Sequence, residues 1–275
     1  MPKKELTIIK PQHGWLMVDP RELWRFRETL YYFVWRDIKV RYKQTVLGFA
    51  WAILQPLLMM LIFSIFLGRI VRMSSHGIPY PVFSYAGLLP WTFFSNGVNQ
   101  ATSSLVSSAN LINKVYFPRL LIPVAAIISG VIDFLLAFTV LLGMMVVYRI
   151  PLTGDIVWLP FFLLLAVVTS VGIGLWLTAL NIMFRDVRYI VPFLLQLGMF
   201  ATPVIYPSSL LPRSLRWLLG FNPMAGVVEG FRWSLLGIKY VPGPLIWISV
   251  LISLVILVTG VFFFRRMEKF FADVA

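Results

Sequence analysis

The 275 residues are 59% hydrophobic and only 13% charged, with a mean hydropathy of +0.85, whereas soluble domains are nearer half apolar and a quarter charged. A water-soluble globule of this length cannot hide so much apolar surface, so lipid must cover the remainder. The net charge of +13 does not point to nucleic acid, because ten of the 24 Lys and Arg precede Val46 and crowd against the first apolar run, where they read as a topology signal.

Cysteine is absent, which excludes disulfides, thiolate metal sites, iron–sulfur clusters and thiol nucleophiles. With only His13 and His76, no histidine metal site is expected. The first long apolar run begins near Val46, too late for the core of a cleavable signal peptide, so none is expected.

Spanning a bilayer takes roughly 20 apolar residues in a helix. Six stretches qualify or come close: 46–67, 82–106, 121–148, 157–180, 190–206 and 244–264. The fifth is short and bracketed by Pro192 and Pro203. With the N-terminus inside, the cytoplasmic pieces carry 17 of the 24 Lys and Arg and the external pieces 7. The positive-inside rule then places both termini in the cytoplasm. The expected fold is an all-α integral membrane domain with six transmembrane helices at 46–270, preceded by a cytoplasmic N-terminal region at 1–45.

Before the first span, Leu23, Phe26, Leu30, Phe33 and Val34 share one helical face, while Glu22, Arg25, Thr29, Arg36 and Lys39 share the other. A basic amphipathic helix beside a span is expected to lie in the membrane plane; the alternative is a helix packed on the protein's own cytoplasmic side. Between the fifth and sixth stretches, 208–240 is apolar but broken by Pro212, Gly220, Pro223 and Gly237. Asn222-Pro223 is a good helix start, with Asn as cap and Pro in the first turn. Two helices of about 12–14 residues are expected there, too short to span, as a re-entrant or externally resting hairpin. No internal repeat or second domain is read.

Asp133 is the only acid within the six stretches. A charge there costs about 2.5–3.5 kcal/mol on insertion scales, so it must face protein or water. It serves either in a proton or cation relay or as a carboxyl bonded to Ser129 or a neighbouring helix. Asn96, Asn99, Gln100, Ser103 and Ser107 recur at three- and four-residue spacing on the second stretch, as helix–helix glue or as a pore lining. Ser170, Gly174 and Thr178 form a small-residue row suited to close packing. There is no Gly-x-x-x-x-Gly-Lys phosphate loop. Paired carboxylates, a Ser–His–Asp arrangement and a metal-binding cluster are not found either. No catalytic residue and no metal ligand is assigned, and the energy for any work is expected from another chain or an ion gradient.

Arg36-Asp37-Ile38-Lys39-Val40-Arg41-Tyr42-Lys43-Gln44-Thr45-Val46-Leu47-Gly48, leading into Trp51-Ala52-Ile53-Leu54-Gln55-Pro56, resembles the approach to the first span in type-2 ATP-binding-cassette permeases. The polysaccharide and polyol-phosphate exporters are the nearest branch. Leu111-Ile112-Asn113-Lys114-Val115-Tyr116-Phe117-Pro118-Arg119 with Pro123, Asn181 with Arg185-Asp186-Val187, and Asn222-Pro223-Met224 with Glu229 and Arg232 are similar to further blocks of that branch. The resemblance covers residues 21–270.

It implies a permease half in the bacterial inner membrane, working as two copies with two copies of a separate cytoplasmic ATPase. ATP and Mg would sit on that partner, and this chain would carry no cofactor. The N-terminal helix, with Arg25, Arg36 and Asp37, would be the interface helix. Asn113, Lys114, Val115, Tyr116, Phe117, Pro118 and Arg119 would couple to the ATPase, and Asn222, Pro223, Glu229 and Arg232 would belong to an external gate. A lipid-linked glycan is the implied cargo, with Trp51, Tyr85, Trp91, Asn96, Asn99 and Gln100 as candidate path residues and Trp176 as a further ring. Teichoic acid, another lipid or a drug is the alternative cargo within the superfamily. An ion-coupled secondary transporter is a different class, which would show inverted repeats and several intramembrane ionisable groups. A membrane glycosyl- or phosphotransferase would need acidic clusters for a divalent metal.

Overall fold

The computed structural model describes residues 24–43, 48–112, 114, 117–212, 216–238 and 243–268. Among them every regular element is a helix. The principal ones are α1 (Arg27–Lys43), α2 (Ala50–Phe63), α3 (Tyr80–Ser107), α4 (Leu121–Val147), α5 (Leu159–Met183), α6 (Val187–Ala201), α7 (Pro223–Leu236) and α8 (Gly243–Met267). A π-helical stretch, Ser64–Ile70, prolongs α2, and a 3-10 turn, Gly154–Trp158, leads into α5.

Among the described residues four helical stretches are long and apolar enough to cross a membrane: Ala50–Ile70, Leu121–Val147, Gly154–Met183 and Gly243–Met267. The other two expected stretches differ for different reasons. α3 has 28 residues, ample for a crossing, but polar groups lower its hydropathy and most of its length is buried in the protein. α6 has only 15 residues, about 22 Å at 1.5 Å per residue, against a hydrocarbon layer of about 30 Å. It was expected at 190–206 but stops at Ala201. The residue before a proline is pushed out of the helical region, and Thr202, preceding Pro203, is extended at φ −102, ψ 142.

Small residues set the closest crossings. A Cβ on Gly260 of α8 would collide with the Gly172 carbonyl oxygen of α5. Thr169 and Ser253 hydroxyls bond across the same seam at 2.8 Å. Along the expected small-residue row of α5, a Cβ on Gly174 would lie 3.1 Å from the Ala101 Cβ, and Thr178 Oγ1 donates to the Ala101 carbonyl of α3 at 2.8 Å. This is the close helix packing by which membrane bundles replace the missing hydrophobic drive.

One end of the bundle gathers Phe33 of α1, Leu105 near the end of α3, Leu121 and Ile122 at the start of α4, Ala179 late in α5 and Phe264 late in α8 into one apolar cluster. The helices thus run alternately up and down. The apolar face of α1 is used here: Phe33 is buried and Phe26, Leu30 and Val34 pack against the same cluster. The expectation that this face dips into the bilayer is corrected. It lies on the protein, and the outward face instead carries exposed Trp24, Tyr31, Tyr32 and Trp35, with the Arg27 guanidinium 5.4 Å from the Trp24 ring centre and Lys39 Nζ 5.2 Å from that of Trp35.

The 208–240 region is also corrected. It holds two 3-10 segments, Ser208–Leu210 and Arg216–Phe221, and a single α-helix, α7, in place of two comparable helices. α7 begins as expected: Asn222 Oδ1 accepts from the Met224 N–H at 3.1 Å, and Pro223 follows the cap. It ends on Gly237 at φ 62, ψ 26, the left-handed conformation that glycine adopts without strain. Twelve of its 14 residues are buried, against α3, α5 and α8. A helix this enclosed does not rest on an outer surface; it re-enters the bundle.

Candidate functional site

A cavity of about 310 Å³ opens between α1, α2, α3 and α4. Trp51 and Gln55 of α2, Thr92, Asn96 and Gln100 of α3, and Asp133 of α4 contribute to its lining, with Arg41 of α1 closing one side. The polar spacing noted on α3 explains three of these. Asn96 and Gln100 lie one turn apart and Thr92 a further turn away, so one face of the helix supplies all of them.

Arg41 organises the site. Its guanidinium forms an ion pair with Asp133 Oδ2, donates to Gln100 Oε1, and donates to Ser129 Oγ at 3.0 Å. The carboxyl of Asp133 therefore has a cationic partner from a neighbouring helix, which favours the bonded-carboxyl reading over a relay. Arg41 falls within the motif read before the first span, yet it received no role from sequence, because the amphipathic pattern was followed only to Val40. The missed signal was the lone intramembrane acid, which needs a cation within reach.

Of the six candidate path residues, Trp51, Asn96 and Gln100 come together on the cavity. Asn99 is exposed on another face of α3. Tyr85 and Trp91 are buried in the core, with the Tyr85 hydroxyl donating to the Ala137 carbonyl at 3.2 Å. Trp176 lies on the α5–α8 seam, stacked on Phe263 at 4.0 Å.

The expected coupling loop is only partly described: Asn113, Val115 and Tyr116 lie outside the described residues. Lys114 is exposed. Phe117 is 6% exposed, its ring set edge-on to Phe33 at 5.0 Å. Of the residues expected to couple to the ATPase, Phe117 thus has its ring turned into the protein. Pro118 is buried beside it, and Arg119 donates to the Glu268 carbonyl at 3.1 Å. Arg25, just ahead of α1, is exposed, while Arg36 and Asp37 of α1 bond to each other at 2.8 and 3.0 Å.

At the opposite end, Arg232 of α7 is 1% exposed and Glu229 13%, 3.4 Å apart. The pair, assigned to an external gate, is enclosed within the bundle. Arg232 donates to the carbonyls of Phe83 at 3.3 Å, Pro203 at 2.5 Å and Tyr206 at 3.3 Å, and to that of Val204. Its guanidinium also lies 3.8 Å over the Phe83 ring. Burial pulls its pKa down to about 10 while Glu229 pushes back, so at neutral pH it remains a cation. The Asn222 side chain ties in the same turn, donating to Thr202 Oγ1 at 2.8 Å.

A helical bundle with several stretches able to cross a membrane and a polar, ion-paired cavity beside two of them has the build of a multi-pass membrane protein. The family model described as ABC-2 type transporter matches residues 28–236, and the chain belongs to that family. It is 34% identical over 215 residues to an O-antigen export system permease protein, RfbA, of Myxococcus xanthus, covering 77% of this chain and 82% of that one. A Klebsiella pneumoniae protein of the same description is 28% identical over 245 residues, covering 87% of this chain and 92% of its own. The polysialic acid transport protein KpsM of Escherichia coli is 26% identical over 241 residues, covering 85% and 91%.

Proposed function

We propose that this chain is the membrane subunit of an ATP-driven polysaccharide exporter of the bacterial inner membrane. The observation that carries the reading is the similarity to O-antigen and polysialic acid export permeases along nearly their whole length. The cavity is chemically compatible with it. Trp51 offers a ring face on which a sugar can stack, and Gln55, Thr92, Asn96 and Gln100 offer hydrogen-bonding groups for hydroxyls. In this reading the cargo is a lipid-linked glycan and the polar face of α3 lines part of its route.

The subunit works as a homodimer with two copies of a cytoplasmic ATP-binding-cassette ATPase. One bundle encloses a cavity of about 310 Å³, too small for an extended glycan, so a second copy completes the path. The purified protein is expected as a dimer that binds the ATPase and hydrolyses no ATP by itself. Size-exclusion chromatography with light scattering and a phosphate-release assay check this; ATP turnover by the isolated chain or a functional monomer contradicts it.

The chain crosses the membrane six times in this reading, α6 making up its short length with the turn that follows it, and both termini face the cytoplasm. The apolar cluster joining α1 to the ends of α3, α5 and α8 then marks the cytoplasmic side, in agreement with the 17-to-7 division of Lys and Arg. Because the parent has no cysteine, single cysteines report cleanly. Cysteines at positions 76 and 153 are expected to react with an impermeant thiol reagent in intact cells, and one at 272 only after permeabilisation. Labelling of position 272 from outside overturns the orientation.

A further inference from the structure

α1 is fastened to the bundle at two separate points. Near its middle, Phe33 sits in the apolar cluster with Phe117. Near its end, the single side chain of Arg41 reaches two other helices, bonding Gln100 of α3 and Ser129 and Asp133 of α4. The second fastening is unusual in its surroundings. Both members of the ion pair line the cavity, their side chains 23% and 24% exposed, and Asp133 Oδ1 has no hydrogen-bond partner among the described residues. An ion pair sealed in apolar packing resists separation because each charge would be stranded. Here water in the cavity can take the place of each partner as the two part.

The wall facing the pair is lightly held. Among the residues of α2 only Pro56 is buried. The chain enters α2 through Gly48 at φ +46, where nothing lies within 4 Å of a Cβ, and Pro56 and the π-helical stretch interrupt the regular ladder farther on. One side of the cavity is thus a helix with little burial in the chain, while Arg41 ties the other side to α3 and α4.

We propose that Arg41 and Asp133 form a separable latch, two positioning residues that fasten α1 to α3 and α4 and must part when the cavity opens in the transport cycle. This rests on the reading of the chain as the permease half of an ATP-driven exporter. A displacement of α1 by the ATPase reaches the cavity through Arg41, whose one side chain bonds Gln100 of α3 and Ser129 and Asp133 of α4. Asp133 Oδ1, enclosed and without a hydrogen-bond partner among the described residues, is the acceptor that water or cargo hydroxyls reach once the two have parted.

The test is made on the complex with its ATPase in proteoliposomes, using Arg41→Cys with Asp133→Cys, which removes both charges together. The two thiols are bridged by a short bifunctional thiol reagent that reduction cleaves. ATP with vanadate is expected to change the bridging rate by about fivefold or more, the usual scale of coupling between sites. Bridging is expected to abolish export, and reduction to restore it. A bridging rate indifferent to nucleotide, or export unaffected by the bridge, overturns the latch. The single variant Asp133→Asn keeps the shape and covers failure of the cysteine pair to assemble. It is expected to raise the ATP consumed per chain exported, whereas a merely structural pair would lower the yield of protein and leave that ratio unchanged. A latch that responds to nucleotide in a complex exporting no polysaccharide instead refutes the cargo and leaves the latch standing.

Discussion

Arg232→Met is expected to be among the most destabilising single changes in the described chain. The guanidinium is fully enclosed and answers four main-chain carbonyls, three of them in the 203–206 turn that joins α6 to the re-entrant segment. Methionine fills much of the volume but donates nothing. It leaves those carbonyls and the Glu229 carboxylate without their cation, a loss of about 3–5 kcal/mol by analogy with broken buried ion pairs. Arg232→Lys keeps the charge, but a single ammonium cannot reach all four carbonyls with a planar fork, so a partial loss is expected. Gly87→Ala attacks the same site from α3, because its Cβ would lie 2.5 Å from both Arg232 Nη2 and the Val204 carbonyl oxygen. The backbone oxygen cannot swing aside, and about 1–3 kcal/mol is expected from overpacking. The two changes share one site, so their combination is expected to cost less than the sum. Thermal unfolding of the detergent-purified protein, followed by aggregation and by protease resistance, measures all three. A melting temperature for Arg232→Met equal to that of the parent would refute the assignment of the buried cation as the clamp of this turn.

The same residue illustrates where sequence reading reached its limit. Glu229 and Arg232 were legible as neighbours on one helical face, and the start of that helix at Asn222-Pro223 was legible from capping chemistry alone. Its burial was not. α7 carries Gly226 and Gly230, whose added Cβ atoms would meet Ser249 and Phe162, but glycine reads locally as a breaker, and only the neighbouring helices reveal it as a point of close approach. Arg41 was missed for a related reason: its partners Gln100, Ser129 and Asp133 are 59, 88 and 92 positions away. By contrast, the places of the apolar helices and the polar face of α3 follow from composition and period within one segment, which is why they were readable. The amphipathic face of α1 was read correctly as a face and assigned the wrong neighbour, since periodicity identifies an apolar surface without saying whether lipid or protein covers it.

That correction changes what is expected of the loop between α3 and α4. Phe117 lies in a cluster with Phe33, Leu105, Leu120, Leu121, Ala179 and Phe264, so it helps fasten α1 to four other helices, α3, α4, α5 and α8. Phe117→Ala is expected to cost about 3–5 kcal/mol in lost burial and cavity, and to forfeit an edge-on aromatic pair worth about 0.5–1.5 kcal/mol within that total. With this ring gone, the apolar seat of Phe33 is loosened, and the surface presented to the ATPase loses part of its fixed geometry. The variant is therefore expected to unfold at a lower temperature and to retain less ATPase on co-purification, the two effects moving together. Phe117→Leu preserves an apolar filling at the same point and is expected to recover most of both. Were Phe117 a direct contact for the partner, Phe117→Ala would lose the ATPase while melting like the parent, and Phe117→Leu would bind no better. Lys114, exposed on the same loop, gives the complementary measurement. Lys114→Glu is expected to leave the melting temperature unchanged and to weaken ATPase association in a salt-dependent manner, because an exposed charge contributes to recognition through orientation and encounter rather than through packing. A co-purification yield for Lys114→Glu equal to that of the parent at low salt would move the charged contact away from this loop, toward the 181–189 connection or the outer face of α1.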